Sequence, residues 1–219
     1  MGHFFDQDSG FMRALWWFTD VVLINLYLLI TSIPVVTIGA AITAAYDAAR
    51  RSQEARGGLT RNYFRAFARN FKQATIIWLP FAVVGAGLVY SWLVLRVPAL
   101  LPFKVVLTLV WLFGFWWVFP LQSRLENSVG KTVKNAYIFS ISYLGTTLGI
   151  AVIDAFCLVL LWASVRYWIQ SVFFLAVMGA GMMIALHVPL IERALKPYTN
   201  PSRIGQVNQE SQESQTGQK

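Results

Sequence analysis

Among its 219 residues the sequence has a single cysteine, Cys157, and two histidines, His3 and His187. One thiol excludes an internal disulfide and any multi-thiolate metal centre, and two histidines leave too little for a histidine metal site. Charge is also scarce: 13% of residues are Asp, Glu, Lys or Arg, where an ordinary globular domain has about 25%. No Gly-x-x-x-x-Gly-Lys, His-Glu-x-x-His or Gly-x-Ser-x-Gly sequence occurs, so the nucleotide-binding loop, the zinc protease and the serine hydrolase have no signature here. No acid is paired with a base. The expectation is a non-enzymatic protein with no catalytic residues, no metal and no cofactor. The N-terminus lacks the basic start, short apolar core and small-residue cleavage site of a cleavable signal peptide, so the first apolar run reads as an uncleaved anchor.

What the chain does have is apolar length. Hydrophobic residues make up 57%, with nine Trp and sixteen Phe, a composition suited to rings at headgroup level and against lipid. Five runs are free of Asp, Glu, Lys and Arg: 21–46, 73–95, 105–123, 135–153 (to 165 if Asp154 is tolerated) and 167–191. Crossing the hydrocarbon layer takes roughly 20 helical residues. Backbone groups in lipid must pair internally, and the runs lack the alternating polarity of barrel strands. The expected fold is therefore an all-α, polytopic membrane bundle. Its spans are placed at 18–36, 74–95, 104–122, 144–164 and 168–190, within one membrane domain, 1–198. The Gln/Ser-rich stretch 199–219 reads as a disordered polar tail.

Orientation follows from Lys and Arg in the connections. Connection 47–72 holds seven, 123–143 three and the chain after 191 four, against two in 96–104 and one in 165–167. The first three segments and the C-terminus are expected to be cytoplasmic, with the N-terminus outside if there are five crossings. A net charge of +8 lying beside apolar spans favours anionic lipid or an acidic partner surface over nucleic acid. The sequence is silent on oligomeric state.

Pro34 keeps a second topology open. Proline removes a backbone donor and clashes with the preceding turn. Residues 12–33 could thus cross, turn at Pro34 and return along 38–51, with Thr37 as N-cap and small residues beginning at Gly39 that allow close packing inside the bundle. That gives six helices and a cytoplasmic N-terminus.

Two further patterns stand out. Pro-Leu-x-x-Arg occurs at Pro120–Arg124 and again at Pro189–Arg193, and Arg69-Asn70 is echoed by Lys134-Asn135. Together they suggest a parallel repeat of two helical hairpins. Within 60–73, Phe64, Phe67 and Phe71 share one face, while Arg61, Arg65, Arg69 and Lys72 share another. With Thr60 as cap, this reads as a helix lying in the headgroup layer, binding membrane lipids or docking a cytoplasmic partner.

Inside the spans, Asp154 costs about 2.5–3.5 kcal/mol at mid-bilayer unless it is paired or protonated. Asn25 or Thr108 is the expected hydrogen-bond partner. A proton or substrate contact is the functional alternative. Depth places His187 away from Asp154, and it reads as a structural histidine. Asn25 reads as glue between helices, and Cys157 as a small hydrophobe.

The stretch Asn25–Tyr46 contains Thr-Ser-Ile-Pro-Val-Val-Thr-Ile-Gly. Together with Asn70–Thr75, Phe119-Pro120-Leu121 and Lys134-Asn135-Ala136, it resembles the YesL family, bacterial membrane proteins with domain of unknown function 624. The likeness runs over nearly the whole chain. It implies a bacterial cell membrane location and a link to carbohydrate ABC importers, with permease or ATPase subunits as partners. It implies no established mechanism and no catalytic residues. The chain does not resemble the importer permease itself. Ile77-Trp78-Leu79-Pro80 matches the end of the permease coupling loop, but that loop's glycine falls on Phe67 and its glutamate on Arg61.

Overall fold

The computed structural model describes residues 10–54, 57–95 and 97–199, and every α or 3-10 element among them is helical. Seven α-helices follow in order: α1 (Gly10–Thr31), α2 (Ile38–Gln53), α3 (Leu59–Leu93), α4 (Leu101–Arg124), α5 (Val129–Ser142), α6 (Leu144–Tyr167) and α7 (Ile169–Thr199). Five of them, α1, α3, α4, α6 and α7, are long and apolar enough to cross a membrane. The chain is a multi-pass membrane protein.

The first expected span needs correction. It starts earlier than 18 and stops at Thr31 rather than running to 36, because Pro34 cannot continue the hydrogen-bond ladder. A 3-10 turn, Val35–Thr37, leads into α2. Thr37 occupies the N-cap position without capping, since its hydroxyl donates back to the carbonyls of Thr31 and Pro34 and closes the turn. α2 then doubles back along α1, and Ser52 near its end donates to Asp20 at 2.5 Å. The reversal weighed at Pro34 is therefore present. α2, with 16 residues, is not among the five apolar candidates.

α2 is the centre of the bundle. It packs against α1, α3, α4 and α7, and everything from Gly39 to Arg50 is buried except Ile42. Its alanines leave room for helices on all sides. At Gly39 an added Cβ would lie 2.5 Å from the Trp78 Cβ and 2.6 Å from the Ala74 carbonyl, so only glycine lets α2 meet α3 there. Gly181 on α7 does the same against α1, where a Cβ would come within 2.4 Å of the Val21 carbonyl.

The segment 60–73 does not form a separate surface helix. It is the first part of α3, continuous with the span because no proline or glycine lies between Thr60 and Trp78 to break it. Its helix begins at Leu59 after Gly58, which has a left-handed φ of 80°, so Thr60 does not cap it. The buried stripe is Tyr63, Ala66, Asn70, Ala74 and Ile77, facing α2. Phe64 and Phe71 remain about half exposed. The second half of the chain differs, because α5 is broken from α6 at Tyr143. Near the connection between α3 and α4, buried Lys104 donates from α4 to the Ser91 and Leu95 carbonyls at the end of α3. This is a favourable place for a cation.

α6 is the opposite of α2. Only Thr147 and Ile150 are buried along it, while Val152, Phe156 and Trp162 are mostly exposed, as a lipid-facing helix requires. α7 extends to Thr199, one residue into the expected polar tail; the rest of that tail lies outside the described residues.

Candidate functional site

Two polar centres interrupt the apolar bundle, and both touch α2. The first joins three helices. Tyr46 of α2 places its hydroxyl 2.9 Å from Nδ1 of His187 on α7. Nε2 of the same ring lies 3.0 Å from Asp154 Oδ1 on α6. The other carboxylate oxygen accepts from the Trp116 indole of α4 at 2.6 Å. The facing Nε2 and Oδ1 atoms are buried and their alignment does not meet hydrogen-bond geometry, so this is a close polar approach, and Tyr46 supplies the ring's hydrogen bond. Tyr46 and His187 are buried, and Asp154 is only partly exposed.

This overturns two expectations. Asp154 is bonded neither to Asn25 nor to Thr108. Asn25 instead donates to the Ala176 carbonyl and accepts from the Gly181 amide, tying α1 to α7 as glue. Thr108 bonds Trp92 and the Lys104 carbonyl near the opposite turn. Nor does His187 stand apart from Asp154. Depth counted along helix axes ignores the lean of side chains toward their helix N-terminus. From the turn at Trp168, Asp154 lies 14 residues back and His187 19 residues on, an axial mismatch of about 7.5 Å. In an antiparallel pair those two leans point toward each other and close it. Cys157, one turn along α6, is half-buried.

The second centre begins with the charges at the end of α2. Asp47, 2% exposed, accepts from Arg50 Nη2 and from Arg51 Nε, both at 2.7 Å. Arg50 also reaches Glu54 on its own helix at 3.2 Å and stands 3.9 Å from Glu192 of α7. Arg124, at the end of α4, meets Glu192 at 3.3 Å. The two Pro-Leu-x-x-Arg motifs thus converge, the arginine of one pairing with the glutamate inside the other. Burial alone would lower the Arg50 pKa, but the hydrogen bond and field of Asp47, with those of Glu54, outweigh it and raise the guanidinium above its usual value.

Beside this network lies an open cleft of about 550 Å³, floored by α2 and α3 and closed by the end of α4 and the loop 125–128. Asn70 and Gln122 face each other across its wall at 3.2 Å, and Thr132 supports Gln122. Arg69 lines the rim. Of the cationic face expected on 60–73, Arg61, Arg65, Arg69 and Lys72 are all exposed, and none forms an ion pair among the described residues. Phe67 packs against Phe71, and Phe64 against Tyr27. Among the described residues no cluster of His, Cys, Asp and Glu is arranged to hold a metal.

Sequence reasoning missed Tyr46, Trp116 and the Asp47–Arg50–Arg51 group. The last carried a signal, since one carboxylate followed by arginines at i+3 and i+4 is a helical ion-pair spacing. Tyr46 and Trp116 carried none.

One family model, described as "Protein of unknown function, DUF624", matches residues 13–92. Over that stretch the chain is similar to DUF624 proteins. The resemblance to the YesL family, itself a DUF624 family, fits this match. The matched region comprises α1 from Arg13, α2 and nearly all of α3. It includes Asn25, Pro34, Gly39, Asp47 and the cationic face, while Asp154 and His187 lie beyond it. No curated protein and no solved structure matches the chain.

Proposed function

We propose that the protein is a non-enzymatic accessory or regulatory subunit of a bacterial carbohydrate ABC importer, seated in the cell membrane with its arginine-rich end in the cytoplasm. The observation that carries this reading is the exposed row Arg61, Arg65, Arg69 and Lys72, without an ion pair among the described residues, on a continuous helical extension of a membrane helix. Such a row meets an acidic subunit surface or anionic lipid at low desolvation cost. The importer as partner comes from the YesL likeness. Purification of the tagged chain in mild detergent should recover identified permease or ATPase subunits, and Arg61→Glu with Arg65→Glu should reduce that recovery. Repeated recovery of neither subunit would remove the reading.

A second reading, an independent small transporter, is favoured by one observation: the Tyr46–His187–Asp154 chain crosses the bundle interior. Under that reading Asp154→Asn abolishes proton-coupled uptake into vesicles. A purely structural Asp154 would leave uptake intact.

A further inference from the structure

The cleft beside Asp47 matches no role proposed above. Eleven of its twelve lining residues are polar, Leu125 being the exception. Its volume lies in the range of small-molecule sites, roughly 300–1,000 Å³. A cleft that polar offers little to an apolar ligand, so it must recognise its occupant by hydrogen bonds and charge.

Its spare capacity is on the donor side. Arg51 spends only Nε on Asp47, and its two terminal nitrogens have no protein partner among the described residues. Among the described residues Arg124 spends only Nη2 on Glu192, and its buried Nε donates to nothing. Arg69 has no hydrogen bond or ion pair among the described residues. Both Asp47 oxygens are already taken by Arg50 and Arg51, so the buried carboxylate does not compete for those free forks. It aligns two of the guanidinium groups instead. Glu126 is the one carboxylate on the rim without an ion pair among the described residues, and it is exposed. Planar forks with unspent N–H groups fit the oxygens of a phosphate bidentately. The remaining wall, amides and Ser123, suits hydroxyl groups.

We infer that this cleft binds a phosphate group carried on a hydroxyl-rich body, with Arg51, Arg69 and Arg124 on the phosphate and Glu126 opposing it at the rim. The same chemistry is offered by a free phosphorylated polyol and by the headgroup of phosphatidylglycerol. Nothing in this inference depends on the importer association.

The test uses the full chain in lipid nanodiscs. Glycerol phosphate is titrated calorimetrically into discs of zwitterionic phosphatidylcholine, with glycerol as control. In parallel, native mass spectrometry of protein from mixed discs reads retained phosphatidylglycerol against phosphatidylcholine. Arg69→Gln removes an exposed side chain with no ion pair, so the fold should survive. It should weaken the phosphate ligand by about tenfold or more, while Glu126→Gln should tighten it severalfold. Binding of glycerol phosphate, lost in Arg69→Gln, assigns a soluble ligand. Selective retention of phosphatidylglycerol, lost in the same variant, assigns the lipid. Binding of neither, or binding indifferent to both substitutions, overturns the proposal.

Discussion

Asp154 sits on the most lipid-exposed helix of the bundle, yet one of its oxygens accepts from Trp116 and the other lies 3.0 Å from the His187 ring, both on other helices. A carboxylate at that depth tolerates the bilayer only while those partners remain. Removing His187 leaves Asp154 with Trp116 alone, and removing Asp154 leaves the ring with Tyr46 alone. Each single alanine variant should therefore destabilise by about 1–3 kcal/mol. The double variant should be less damaging than the sum, with a coupling near 1 kcal/mol because Asp154 is partly exposed. Unfolding titrations in mixed micelles give the cycle; additivity to within about 0.3 kcal/mol would mean the 3.0 Å contact contributes nothing. Sequence alone identified both residues as polar intruders but not as a pair. The pairing depends on which way each side chain leans from a helix whose register is fixed only by the turn at Trp168.

Glycine substitutions separate contact from propensity at the scale of a helix. Gly39→Ala should cost about 1–3 kcal/mol by forcing α2 off α3, because its new methyl would meet backbone as well as Trp78. Gly87→Ala on α3 meets nothing within 4 Å and should be neutral or stabilise by up to about 1 kcal/mol. Thermal midpoints in detergent compare the two, and equal loss at both sites would contradict the packing of α2. The long spans were legible because a run without charges needs no tertiary information. The break at Pro34 was legible from the chemistry of proline. The environment of α2 was harder, since an alanine-rich, weakly apolar helix reads equally well as a return or as a continuation until its neighbours are known. The stripe at Phe64, Phe67 and Phe71 does not mark the helix's packed side, for a related reason. A phenylalanine row marks an apolar face, but the tighter contact belongs to Tyr63, Ala66 and Asn70, whose mixed character hides it.

For the molecule as a whole, orientation decides which surfaces a partner can reach. With the arginine-rich end inside, a cysteine at Arg65 in a Cys157→Ser background should escape impermeant maleimide in intact cells and react in inverted vesicles. The reverse pattern would turn the bundle over and remove the case for cytoplasmic docking. The helical architecture and the five long apolar stretches were apparent from charge distribution, whereas the cleft was not. It is assembled from α2, α3, α4 and the loop after Arg124, and no short stretch of sequence contains it.

Because α2 is enclosed by α1, α3, α4 and α7, it has no side suited to contact with acyl chains and carries Asp47 and Arg50 besides. It must therefore wait for later parts of the chain before it has a home, and the latest of these is α7. Biogenesis then has a built-in completion check: a chain truncated after residue 168 should insert its earlier crossings, leave Arg50 without Glu192, and be cleared by membrane proteolysis faster than the intact protein.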